Sequence, residues 1–152
     1  MGYPSKRKKQ KRAEDPYKYT ARLLRYRLRS EKELKLRLQE RYSEEIANTV
    51  VEKLKEKGIV DDERFALLFA KDQLQIHRHG PRVIEMKLKS LGVADEVIKK
   101  AIKEAWRGFD LEGFLKEILR KKKDVRKAKE YLYRRGFDPS LLDNMDIEID
   151  RG

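Results

Sequence analysis

Two rows of cations are the residues of this 152-residue chain best placed to do chemistry. In the first, Lys18, Arg22, Arg25 and Arg29 recur every three or four positions, which on an α-helix puts all four on one face. Lys122, Arg126, Lys129 and Tyr133 form the second row and end in an aromatic ring that could stack on a base. Each row trails an apolar stripe by one residue: positions 17, 21, 24 and 28 in one case, 125, 128 and 132 in the other. The cations therefore stand about a quarter turn from the expected buried face. Phosphate contact is the chemistry such rows suit. The competing reading is a solvated face on a Lys-rich protein; against it, both basic blocks align their cations in the same way, whereas the equivalent row of the helix around Ile84 begins with an acid, Glu85. Neutralising about four to six phosphates would give a log-log salt slope of roughly −3 to −4 on single strands.

Other chemistry finds little support. The chain has no cysteine, and Ser30 and Ser43 stand at helix starts with no histidine nearby to activate them. His77 and His79 are two apart, which on a helix turns them about 200° away from each other and argues against a shared metal. Asp61 and Asp62 precede Phe65 and fit a helix cap better than a magnesium site. No G-x-x-x-x-G-K loop is present. The expectation is a protein that is not an enzyme and holds no metal or cofactor.

The elements that position these residues repeat. Ile84 and Leu88, then Gly92 and Val93, then Val97 and Ile98 are matched at the same spacing by Ala128 and Leu132, Gly136 and Phe137, Leu141 and Leu142. A near copy begins at Leu34 and Leu38, with Arg41 and Tyr42 where the others have glycine and an apolar residue. Proline follows Asp15, Gly80 and Asp138, as at helix starts. Ser30 with Glu33 spells a capping box, while Gly58, Gly92, Gly108 and Gly136 stand where helices stop. Apolar stripes at 46, 50 and 54, at Phe65, Leu68, Phe69 and Ile76, and at Ile98, Ala101, Ile102 and Ala105 complete the pattern.

These spacings predict an all-α, elongated, right-handed-type solenoid of tandem three-helix repeats, two full and one truncated. The expected boundaries are a disordered basic arm at 1–14, repeats at 15–59, 60–108 and 109–145, and an acidic tail at 146–152. Charge follows that layout. Residues 1–41 hold 15 basic and 5 acidic side chains, 42–115 hold 13 and 14, and 116–135 hold ten and three. Two basic blocks flanking a neutral centre suggest a polyanionic partner met near both ends. No apolar run nears the roughly 20 residues a bilayer requires, so a cytoplasmic monomer without membrane contact is expected.

Specific residues also carry a family pattern. Arg29 and Ser30 with Glu33, Leu34 and Leu38, then Asp61, Asp62, Arg64, Phe65 and Ala66, then Gly80, Pro81, Ile84, Leu88 and Gly92 together resemble the RecX family of recombination regulators. The resemblance implies a helical-repeat protein that binds in the groove of the RecA filament on single- or double-stranded DNA. There it would restrain ATP hydrolysis, strand exchange and repressor cleavage, which ties it to DNA repair, homologous recombination and the SOS response. An independent DNA-binding protein that acts by occupying DNA is the alternative. The motif residues Ser30, Glu33, Leu34, Asp61, Asp62, Phe65, Gly80, Pro81, Ile84, Leu88 and Gly92 are mainly structural in this reading, and the cation rows carry binding.

Overall fold

Most helix boundaries in this chain trace to one or two residues. Pro16 opens α1 (Pro16–Tyr26), where its missing N–H costs nothing. A complete capping box opens α2 (Glu31–Gln39): the Ser30 hydroxyl accepts from the Glu33 amide at 3.2 Å, and the Glu33 carboxylate accepts from the Ser30 amide at 3.1 Å. Ser43 caps α3 (Glu44–Glu56). In the computed structural model, which describes residues 14–145, the later helices are α4 (Asp62–Gln75), α5 (Pro81–Ser90), α6 (Asp95–Arg107), α7 (Leu111–Lys122), α8 (Val125–Arg135) and a 3₁₀ helix (Pro139–Asn144). The fold is all-α and built from helical repeats, with no strand among the described residues. The expected acidic tail and all but Glu14 of the expected basic arm lie outside them.

The chain divides into two compact units, one ending at Asp61 and one beginning at Asp62. In the first, Tyr19, Leu23, Leu34, Leu38, Ala47, Val50, Val51, Leu54 and Val60 form the core, with Leu24 and Tyr42 packed against it. The apolar stripe expected at 17, 21, 24 and 28 is therefore out of phase. Tyr17 and Ala21 face solvent, and Thr20 is fully buried because its hydroxyl donates to the Pro16 carbonyl at 2.9 Å. Glu14 also belongs to this unit, since the Tyr42 hydroxyl donates to its carbonyl.

In the second unit α4 packs chiefly on α6, α5 lies against both, and α8 contacts α7 and the 3₁₀ helix. The repeated spacing is now visible as one local device. Ile84 and Leu88, like Ala128 and Leu132, are fully buried; Gly92 and Gly136 take φ of 82° and 97°, a region open to glycine at no steric cost. The next residue folds back, Val93 N–H to the Leu88 carbonyl at 3.1 Å and Phe137 N–H to that of Leu132 at 2.9 Å. On α4 the stripe differs from expectation: Phe65, Ala66, Ala70 and Leu74 are buried, whereas Leu68 is 43% exposed and Ile76, just past the end of the helix, is 67% exposed. Phe137 then anchors an aromatic cluster with Trp106, Phe109 and Phe114 at centroid distances of 4.8–6.3 Å.

One backbone contact ties the last repeat to the middle one. Gly80 N–H donates to the Arg135 carbonyl at 2.7 Å and Arg82 N–H to that of Gly136 at 3.1 Å, so the start of α5 sits on the end of α8. A Cβ on Gly80 would lie 2.6 Å from the Gly136 carbonyl carbon. Gly80→Ala is therefore expected to destabilise the protein by about 2 kcal/mol or more in urea unfolding. Gly108→Ala, which meets nothing within 4 Å at φ −95°, should leave stability unchanged or raise it by about 0.5 kcal/mol.

Candidate partner-binding surfaces

The first cation row is shorter than its spacing implied. Lys18, Arg22 and Arg25 lie exposed on α1, away from the buried Tyr19, Thr20 and Leu23. Arg29 does not join them. The helix ends at Tyr26 and Arg27 turns extended, φ −166° and ψ 160°, so helical spacing no longer positions the residues beyond it, and Arg29 is only 8% exposed. Arg22 is engaged as well: its guanidinium holds Glu14 at 2.6 Å, and Arg41 lies 3.6 Å from the same carboxylate oxygen. Both guanidiniums also approach the ring of Tyr19, at 5.2 Å and 4.4 Å. The hydrogen bond from Arg22 holds the Glu14 carboxyl below the usual carboxylate range, and the same bond raises Arg22.

The second row is also interrupted by a helix break. Lys122 ends α7, Lys123 is left-handed at φ 57°, and the Asp124 carboxylate accepts from the Arg126 amide at 2.8 Å to start α8. Lys122 thus belongs to another helix, where its ammonium lies 4.7 Å from the ring centroid of Tyr131. Arg126, Lys129 and Tyr133 remain together on α8, and with Val125, Glu130, Arg134 and Pro139 they line an open groove of about 640 Å³. Asp143 of the 3₁₀ helix pairs with Lys129 at 2.7 Å. Tyr133 is 59% exposed, with the Arg82 guanidinium 4.7 Å from its ring centroid. Arg82 and Arg134 were not apparent from spacing. Arg134 sits beside Tyr133 in sequence, but Arg82 is 51 residues away and gives no local signal.

The remaining polar residues serve the scaffold. His77 and His79 lie just past the end of α4 with stacked rings 6.2 Å apart. His79 Nδ1 meets the Gln73 side chain at 2.6 Å, and burial followed by the Arg135 charge lowers its pKa. Among the described residues no group of three or more His, Cys, Asp or Glu could hold a metal. Asp61 stands just before α4, and Asp62 and Glu63 lie in its first turn. None of the described helices is long and apolar enough to cross a membrane.

Comparison with known proteins places this architecture. Family models described as the first and second three-helix domains of RecX match residues 17–54 and 61–102. A protein named regulatory protein RecX from Thermotoga petrophila is 42% identical over 97% of this chain and 92% of its own length. The Thermotoga maritima protein of that name is 42% identical over 96% and 91%. The chain belongs to the RecX family. The crystal structure of RecX from Lactobacillus salivarius superposes with a TM-score of 0.69 over 90% of this chain and 96% of that one, at 20% identity, and so shares its fold.

Within this RecX-family chain, Ser30 and Glu33 form the capping box, Leu34, Phe65, Ile84 and Leu88 are core, and Gly80, Pro81 and Gly92 shape the ends of α5. RecX is a regulatory rather than a catalytic family, and α1 and α8 both carry exposed cations. Glu14 neutralises part of the first. Glu14→Gln should release Arg22 and Arg41 and tighten binding to single-stranded DNA by about two- to threefold at low salt, read by fluorescence anisotropy. Because the folded Glu14 titrates below the unfolded value of about 4.3, its stabilisation is present above that pH and fades as pH falls through the lower folded value. Glu14→Gln should therefore flatten the acid limb of a stability–pH profile slightly, because the pair is exposed.

Proposed function

We propose that this chain regulates the RecA recombinase by binding in the groove of the RecA–DNA filament and inhibiting its ATPase, strand-exchange and co-protease activities. The observation that carries the reading is membership of a regulatory family along nearly the whole chain. The surfaces are compatible with it. Lys18 and Arg25 in the first unit, and Arg126 and Arg134 in the second, are exposed cations suited to phosphates or acidic side chains lining such a groove. The ATPase is RecA's own. The chain would act as a cytoplasmic monomer without a cofactor, during DNA repair and the SOS response.

A second reading, an independent DNA-binding protein that acts by occupying DNA, draws on Tyr133, an exposed ring in a groove shared with Arg126 and Lys129. The two separate in the double variant Arg25→Glu, Arg126→Glu. On the filament reading, affinity for naked single-stranded DNA falls about tenfold or more at low salt, whereas inhibition of RecA ATPase falls by a much smaller factor because contacts to RecA persist. Parallel loss of both would transfer the function to DNA occupancy, and full retention of both would remove these cations from either role.

A further inference from the structure

Arg29 is unexplained by the fold and by either surface. It is 8% exposed, and a charge withdrawn from water that far is costly unless paired and hydrogen-bonded. Its Nε–H has no hydrogen-bond partner. Among the described residues, the other buried side-chain nitrogen or oxygen in that condition is Nε of Arg37, two turns along α2. The charge of one is felt at the other. Burial first, then the charges of Arg27 and Arg37, hold the Arg29 guanidinium below the usual arginine range.

The nearby acids do not resolve this. The Glu33 carboxylate accepts from the Ser30 amide at 3.1 Å and from Arg27 at 2.6 Å, so the capping box and one arginine share it. Glu40 lies 3.8 Å from Arg37 Nε, beyond hydrogen-bond reach, and is largely exposed. An apolar residue at position 29 would fill the same space at lower cost. Buried donors without partners call for a ligand, an ion or a water.

We propose that Arg27, Arg29 and Arg37 form an oxyanion site in the first unit whose ligand is a phosphate group, with Arg29 as its floor and Arg27 and Arg37 as its arms. The arms are accessible, with 47% and 43% of their side chains exposed. Phosphate suits the site better than carboxylate. Its oxygens are tetrahedral and accept from donors converging from several directions, whereas a carboxylate is planar and is satisfied by one guanidinium fork. Here the guanidiniums come from the α1–α2 connection and from the last turn of α2. Free phosphate and the phosphodiester of a DNA strand share this chemistry. The site does not rest on the filament reading, and RecA is absent from its test.

The test uses the full chain. Arginine Nε–Hε resonances are followed while inorganic phosphate replaces chloride at constant ionic strength, with parallel titrations of a short single-stranded oligonucleotide and of acetate. Arg29 and Arg37 should shift together and saturate at one concentration of phosphate, of oligonucleotide, or of both, and whichever acts identifies the source. Arg29→Met should keep or raise Tm in chloride, because it removes a buried charge whose Nε–H is unpaired, and should weaken phosphate binding about tenfold or more. Arg37→Gln should show the same loss if the Arg29 variant fails to fold. The proposal is overturned if neither phosphate source shifts the pair, if acetate shifts it equally, or if Arg29→Met leaves the phosphate response intact.

Discussion

The second unit depends on one helix end capping another. A helix leaves its first amides and last carbonyls without partners, and the usual remedy at the start is a Ser, Thr, Asp or Asn side chain. At the start of α5 the residue is Gly80, which has none. Its amide and that of Arg82 are instead satisfied by the Arg135 and Gly136 carbonyls at the end of α8. The exchange is reciprocal in kind, since the Arg135 guanidinium donates to the carbonyls of His77 and Arg78 beyond α4, and Arg82 donates to that of Tyr133. Such an arrangement needs both backbones bare. A Cβ on Gly136 would in turn lie 2.7 Å from Val83 Cγ2, so the two glycines are one feature. Phe137, the next residue, then enters the aromatic cluster, and the backbone contact thereby also sets the packing of α6 and α7.

The first unit reaches a similar core without that device. Its α2 closes with Glu40 in the ordinary right-handed region, and the amides of Arg41 and Tyr42 both return to the Leu38 carbonyl at 3.0 Å and 2.8 Å. No residue there needs positive φ, which is why Arg41 stands where later repeats carry glycine. The released side chains are put to use: Tyr42 packs on the core and donates to the Glu14 carbonyl, and Arg41 covers the ring of Tyr19. Glu14, Arg22, Arg41 and Tyr19 thus join the entry of α1 to the turn after α2.

Features set by one helical segment were legible in the sequence. The buried pairs four apart, the capping box and the glycines of positive φ all follow from spacing within about ten residues. Stripe phase was less legible wherever the core is not made of large apolar residues. Thr20 is buried because its hydroxyl finds a backbone acceptor, and Ala66 and Ala70 are buried because α4 lies against α6. Hydropathy favours Leu68 and Ile76 over both alanines. The cation rows departed from one helix face for a different reason: Arg29 and Lys122 keep helical spacing across the end of a helix, and counting does not register that end. The pairing of Arg82 with Tyr133 joins two repeats and has no local trace.

These positions divide the cations into two kinds with different consequences for binding. Exposed pairs such as Arg22 with Glu14 and Lys129 with Asp143 contribute little to folding and are screened by salt. A polyanion can replace the carboxylate at small cost, so these side chains add to encounter and to non-specific affinity without selecting a ligand. Arg29 works in the opposite sense. A guanidinium fixed by burial loses little further freedom on meeting an anion, and its unpaired Nε–H rewards only a ligand whose oxygens reach the floor between Arg27 and Arg37. The net charge of +12 therefore describes attraction, while discrimination between anions rests with Arg29, the cation that the fold has withdrawn from water.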